Sequence, residues 1–456
     1  MRRQANWPDL RATLEPERRR LPAGWPLFAA VVMFPLWWFL GLGSFVFPIF
    51  AIPMAWQLSR RPHVRVPPWF VLWALFVLWS LLGVVMLSVT PLGTLSASFG
   101  TGFDAYLLRS LQYLAATVVL LYVGNLTEEE VPRLRIVRWL GVMFLVALVG
   151  GVVGLLFPRL NWTSAVEALL PTALTSRRGL QQLIHPAVAQ IQSVIGVADA
   201  RPKAPFEYTN AWGNNLSILL LWFVVGWIAY GSARRRLLGG IALAVAVVPI
   251  IYSLNRGLWI GLTLAAVFVA VRLAIAGRAQ FLAGLALGAA VLVVVIALSP
   301  LGAVFTERLN AGHSNQIRTS LSQDAFSLAL RSPILGYGGT RDLLGSDESI
   351  AIGASPDCPR CGNRTIGSNG HFWNVLFSQG FVGAILFVGW YLANFWHYRR
   401  DLTPIGLAGQ SVVVMTLLYM FAYVGISSSL SLVMLSIGLL WRNEQARRSD
   451  PSGVLA

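Results

Sequence analysis

The sequence predicts an all-α, polytopic membrane protein of about twelve transmembrane helices, and three observations predict it. Of 456 residues, 56% are hydrophobic and only 12% charged, whereas soluble globular chains carry about 25% charged residues. Apolar runs, most of about 17 to 25 residues and so long enough to cross a bilayer as a helix, recur from residue 25 to residue 441. Arginines cluster in every second connection between those runs, the asymmetry that orients helices in a membrane.

Taken in order, residues 1–24 are Arg-rich and polar, and apolar runs follow without a break in the pattern. They read as a cytoplasmic tail, not a cleaved signal peptide. Spans are expected near 25–42, 44–58, 69–89, 104–124, 137–157, 211–230, 237–254, 257–275, 280–299, 371–393, 405–424 and 426–441, forming one transmembrane domain, 25–441, followed by a cytoplasmic tail, 442–456. The second and last of these are short. With the N-terminus inside, the inward connections carry Arg60, Arg61 and Arg65; Arg133, Arg135 and Arg138; Arg234, Arg235 and Arg236; Arg272 and Arg278; Arg399 and Arg400; and Arg442, Arg447 and Arg448. Trp25, Trp37, Trp38, Trp69, Trp212, Trp227, Trp373, Trp396 and Trp441 fall near span ends, where indole rings anchor in the headgroup region. Two joints are unusually tight, Gly41 to Ser44 and the turn at Asn255.

Two extracytoplasmic loops are long, 158–210 and 299–370. The first contains Trp162–Leu174 and Leu180–Val197, both with apolar residues at helical spacing, so amphipathic surface helices are expected there. The second is extreme beside the 2 to 8 residues that usually join bundled helices. It holds Arg308, Arg318, Arg331, Arg341, Arg360, Arg364 and both cysteines, and ends at His371. The two loops are expected to form a helical cap over the outer face and to carry the chemistry.

The net charge of +16 would suggest nucleic acid in a soluble protein. Here its placement is topological, so the bilayer is the expected partner and nucleic acid is not. Lys203 is the only lysine. All nineteen acidic residues lie in tails and loops except Asp104, at the outer end of its span. Ion-coupled carriers place ionisable groups near mid-membrane, which argues against that class. Sugar transferases that use metal and an acidic motif in the first outward loop are disfavoured too, because Gly41 to Ser44 offers no carboxylate.

On the outer side the sequence offers Arg109 one turn inside a span, Arg256 in the turn Ser253-Leu254-Asn255-Arg256-Gly257, Arg318 in Gln316-Ile317-Arg318, and His371 in Asn369-Gly370-His371-Phe372-Trp373-Asn374. Guanidinium forks bind phosphate oxygens bidentately and stay charged at any working pH. The helix that starts at Arg256 also points its positive end outward. Each residue has a plainer reading: Arg256 as a snorkelling interfacial arginine, Arg318 as a solvated loop charge, His371 as a hydrogen-bonded interface histidine.

Their order, with Phe206-Glu207-Tyr208-Thr209-Asn210-Ala211-Trp212-Gly213 entering one span, Ser332 to Gly338 between Arg318 and His371, and Gln379 to Gly383 after it, resembles the O-antigen ligase and polymerase superfamily. The resemblance covers most of 201–425. It implies a GT-C-like helical fold and a metal-independent, cofactor-free inverting glycosyltransferase in the cytoplasmic (inner) membrane, working on its extracytoplasmic side. The donor implied is a glycan on a polyprenyl-pyrophosphate carrier, and the acceptor a hydroxyl on a glycan, lipid or protein. Arg256 and Arg318 correspond to the pyrophosphate-binding pair and His371 to the catalytic histidine, with Arg109, Glu207, Tyr208 and Asn210 as residues of the site wall. A flippase or transporter of the same lipid-linked glycan, and a non-catalytic scaffold, remain the alternative readings. Cys358-Pro359-Arg360-Cys361 departs from the family pattern. A local disulfide is expected there in an oxidising compartment, with a zinc site, needing four ligands, or free thiols as alternatives.

Overall fold

The computed structural model describes residues 22–449 apart from 97–98, 176–177, 194–197, 298–301, 303–305, 307–312 and 345–363. The described chain is mostly helical. Six of its helices are long and apolar enough to cross a membrane: Gly102–Asn125, Arg133–Leu156, Thr209–Ala229, Ala233–Tyr252, Arg256–Ile275 and His371–Tyr398. Shorter apolar helices are Gly43–Ser59, Phe70–Met86, Gln280–Val291 and Pro404–Tyr419. These features make it a multi-pass membrane protein.

Local chemistry accounts for several boundaries. The Ser232 hydroxyl accepts from the Arg235 amide at 3.5 Å and starts Ala233–Tyr252. Thr403 caps Pro404–Tyr419, with proline in the first turn where its missing N–H costs nothing. Gly380 interrupts His371–Tyr398 with φ 67°, and only glycine fits there, since a Cβ would lie 2.5 Å from the Pro333 carbonyl oxygen.

Five expectations need correction. The run 25–42 is two short helices, Trp25–Val32 and Phe34–Phe39, separated at Met33. The run 405–424 stops being helical at Tyr419, and 420–426 is an irregular linker. The last helix, Ser427–Ser449, continues far past residue 441, since Arg442 and Asn443 are buried and find polar partners. Leu180–Val197 is not one amphipathic helix: Arg178–Ile184 is helical, but Ala189–Ser193 pairs antiparallel with Ala198–Pro202. The alternation Ala-Gln-Ile-Gln-Ser has the period of a strand. Among the tryptophans, Trp69 and Trp396 are exposed as anchors should be, while Trp212 and Trp441 are core residues. The Trp212 indole donates to the Ala147 carbonyl at 3.0 Å, and the Trp441 ring lies where Gly124 would otherwise carry a Cβ.

The last helix is the centre of the bundle, buried along most of its length and packed on Phe99–Asn125. Around it, Arg133–Leu156 packs on Thr209–Phe223, Phe70–Leu82 on His371–Tyr398, and Pro404–Tyr419 on Arg256–Ile275. Of the long loops, the hairpin packs on Arg133–Leu156, and His313–Ala329 packs on the helix that begins at His371.

The connections sort to two ends. At one, Arg61 meets Glu130 at 2.7 Å, Arg442 meets Glu128 at 2.7 Å, Arg133 donates to Asn443 at 2.6 Å and Arg447 meets Asp401 at 3.2 Å. At the other, Ser44 donates to Glu207 at 2.8 Å, Arg201 to the Ser253 carbonyl at 2.7 Å, and the His371 amide to the Tyr423 carbonyl at 2.8 Å. The arginine-rich connections expected to face inward thus gather at one end, and the candidate site lies at the other.

Candidate functional site

The site is built on the irregular linker that follows Tyr419. A helix start leaves several backbone N–H groups without intrahelical acceptors, and the helix beginning at His371 finds them in this linker. The His371 amide donates to the Tyr423 carbonyl at 2.8 Å and the Phe372 amide to the Met420 carbonyl at 2.7 Å. The approach is close enough to demand Gly370, where a Cβ would lie 2.7 Å from the Met420 oxygen.

That docking fixes the His371 ring in a buried position, 4% exposed. Its Nε2 lies 3.0 Å from the Tyr113 hydroxyl, with the two rings nearly parallel at 7°. Phe387 covers it at 4.6 Å between centroids. The ring borders a small cavity of about 20 Å³, lined also by Asn214, Tyr391, Thr416, Tyr419, Tyr423, Gly425 and Ser429. Nδ1 faces Gly425, 4.0 Å from where a Cβ on that glycine would sit.

Arg318, on His313–Ala329, reaches the same linker. Its Nη1 donates to the Ala422 carbonyl at 2.7 Å and the Asn369 carbonyl at 3.1 Å, and Asn369 returns a bond to the Arg318 carbonyl at 3.2 Å. Arg256, in the first turn of its helix, is tied in through Asn255, whose carboxamide oxygen accepts from the Tyr423 hydroxyl. Burial lowers the Arg318 pKa; Tyr423 opposes that shift and the neighbouring Arg256 adds to it. Both guanidinium groups keep their charge at working pH, so two like charges share one neighbourhood. Gly257 is required there, since a Cβ would lie 2.4 Å from the Tyr423 hydroxyl oxygen.

Arg109 lies on the other side of the histidine, one turn before Tyr113 on Phe99–Asn125. It is 6% exposed, and its Nη1 is buried with no hydrogen-bond partner among the described residues. Arg341 is beside it, both close to Gly339, but Arg341 donates to the carbonyls of Leu87, Tyr337, Gly339 and Thr340 and so holds the loop together.

Glu207 is further round the rim, accepting from Ser44 at 2.8 Å and from Ser427. Ser427 has φ 42°, unusual for a side-chain-bearing residue. The Tyr208 hydroxyl donates to Gln182 at 3.1 Å and belongs to the surface of the first loop. Asn210 is half-buried in the first turn of Thr209–Phe223, and among the described residues no hydrogen bond ties it to the histidine. Cys358 and Cys361 lie outside the described residues.

The structure therefore gathers His371, Arg318 and Arg256 around residues 420–423, brings Arg109 in through Tyr113, and leaves Tyr208 and Asn210 peripheral. Sequence reasoning missed Tyr113, Asn214, Tyr423 and the linker itself. Asn214 and Asn215 did carry a signal, as adjacent carboxamides inside an apolar run, where polar groups tend to be functional. Tyr423 carried none, being read as part of a span. No family model matches the chain, and no curated protein matches it.

Proposed function

We propose that the protein is a metal-independent glycosyltransferase that moves a glycan from a polyprenyl-pyrophosphate carrier to an acceptor hydroxyl at the extracytoplasmic side of the cytoplasmic membrane, on a GT-C-like fold of about twelve spans. The observation that carries this reading is the convergence of one buried histidine and two arginines, Arg256 and Arg318, on the 420–423 linker, at the end opposite the arginine-rich connections. That end would be outside by the positive-inside rule.

The chemistry follows from the groups present. The acceptor oxygen attacks the anomeric carbon as the bond to the pyrophosphate oxygen breaks, and the lipid pyrophosphate leaves with the electron pair. Fixed guanidinium groups stabilise the growing charge without reorganising. His371 takes the acceptor proton, a base role typically worth about 10² to 10⁴ in rate. A single displacement inverts the anomeric configuration. Arg318 has one nitrogen bonded to two carbonyls, and its remaining donors are the ones assigned to phosphate.

The test is turnover in proteoliposomes holding only this protein, a polyprenyl-pyrophosphate glycan and candidate acceptors. Release of polyprenyl pyrophosphate coupled to glycosylated acceptor is expected. Movement of intact donor across the bilayer without release would replace the transferase with a flippase.

A further inference from the structure

The His371 ring presents two different faces, and only one nitrogen is open to a reactant. Nε2 is occupied by the Tyr113 hydroxyl at 3.0 Å. Tyr113 is itself fully buried, with its ring set edge-on to Trp73 and Phe76, so it cannot swing aside without opening the core. Nδ1 faces the cavity beside Gly425 and Asn214. At about 20 Å³ this space has room for one water or one hydroxyl, since about 10 to 15 Å³ suffices for a water.

A neutral imidazole carries one N–H, and the partner of one nitrogen decides whether the other offers a lone pair. If Tyr113 donated to Nε2, the proton would sit on Nδ1 and the open face could not act as a base. We propose that Tyr113 is a positioning residue that accepts from Nε2–H, holding His371 in the tautomer whose Nδ1 lone pair faces the cavity, and that the reacting hydroxyl of the acceptor enters there between Asn214 and Gly425. This rests on the transferase reading and assigns the acceptor side of the same site.

As the oxygen–carbon bond forms, the acceptor proton passes to Nδ1 and the imidazolium keeps its bond from Nε2–H to the Tyr113 oxygen. Tyr113 neither gains nor loses a proton. Asn214 is within reach of the Gly425 position, its Nδ2 3.2 Å from where a Cβ would lie, and can hold the incoming hydroxyl.

Tyr113→Phe keeps the ring packing and removes only the oxygen. It is expected to lower kcat about tenfold or more, a part of the roughly 10² to 10⁴ that a correctly protonated base contributes, with donor affinity and acceptor KM unchanged. In ¹⁵N-histidine spectra the His371 signals, assigned by their absence in His371→Ala, should show Nε2–H in the parent and a mixture of tautomers in Tyr113→Phe. Gly425→Ala, which puts a methyl group into the cavity 3.2 Å from Asn214 Nδ2 and 4.0 Å from Nδ1 without touching Tyr113, should raise acceptor KM and leave donor affinity alone. Full kcat in Tyr113→Phe with His371→Ala inactive would overturn the role of Tyr113 while leaving the histidine as base. An Nδ1–H tautomer in the parent would overturn it as well. Full transfer by His371→Ala would instead remove the transferase assignment of the histidine, and this proposal with it.

Discussion

At the scale of single residues, the proposed mechanism gives His371 and the two arginines different work, and substitutions should separate them. Arg318 binds two carbonyls through one nitrogen, and lysine keeps the charge but not the planar fork. Arg318→Lys and Arg256→Lys are therefore expected to weaken donor binding about tenfold or more, as loss of a charge-assisted bond worth about 1.5 to 3 kcal/mol implies. His371→Ala should abolish transfer and leave donor affinity nearly intact, because the base acts on the other substrate. Binding isotherms and single-turnover rates on folded, monodisperse protein check both; unchanged affinity in both arginine variants would leave the pyrophosphate pair without support. Lys203 supplies an independent probe of the outer end. Burial pulls its pKa down to about 8, with Glu207 pulling it back up. The amine is protonated and unreactive below that value and nucleophilic above it. Acylation mapped to Lys203 should therefore rise with a midpoint near pH 8, and a midpoint near the ordinary lysine value of about 10.4 would show that the site is not desolvated.

At the scale of elements, two helices meet through glycine. A Cβ on Gly261 would lie 1.9 Å from the Tyr419 hydroxyl oxygen, and one on Gly257 2.4 Å from that of Tyr423. Both tyrosines are buried, so neither can yield freely. Gly261→Ala is expected to destabilise by about 1 to 3 kcal/mol, the usual cost of overpacking, and to lower the melting temperature in detergent. Gly257→Ala should instead displace Tyr423 from Asn255 and disturb the linker, and Tyr423→Phe in the same chain should restore part of the loss by removing the offending oxygen. A melting temperature equal to that of the parent in Gly261→Ala would mean that the helices do not pack this closely.

At the scale of the whole molecule, the two ends differ in chemistry. One is knitted by arginine and carboxylate pairs such as Arg61 with Glu130 and Arg442 with Glu128; the other carries the long loops and the candidate site. The proposed topology puts both termini in the cytoplasm, so single cysteines introduced into 158–210 and 299–370, in a chain lacking Cys358 and Cys361, should react with an impermeant reagent in intact cells. A cysteine near Arg234 should react only after permeabilisation. Labelling in the opposite sense would put the histidine on the wrong side for an extracytoplasmic donor.

The sequence by itself determined the membrane class, the positions of most helices, the sorting of arginines to alternate connections and the three residues around which the candidate site is drawn. Those are local quantities: apolar run length, charge in the connections, and side-chain types that suit phosphate. It also marked the tight turns at Gly41 to Ser44 and Asn255, which the structure has as a 3₁₀ turn at Gly43–Phe45 and a break at Ser253 to Asn255. Tertiary structure alone decided that 420–426 is a linker and not the end of a span, because its carbonyls are held by Arg318 and by the amides of His371 and Phe372 from distant parts of the chain. It also decided that Trp212 and Trp441 are core, that Ala189–Pro202 contains a hairpin, and that the last helix runs past Arg442. An apolar residue has the same hydropathy whether it meets lipid or a neighbouring helix, and a backbone carbonyl has no signature in sequence, so the contacts that orient His371 become visible only when segments 258 residues apart, His371 and Tyr113, are brought within 3.0 Å.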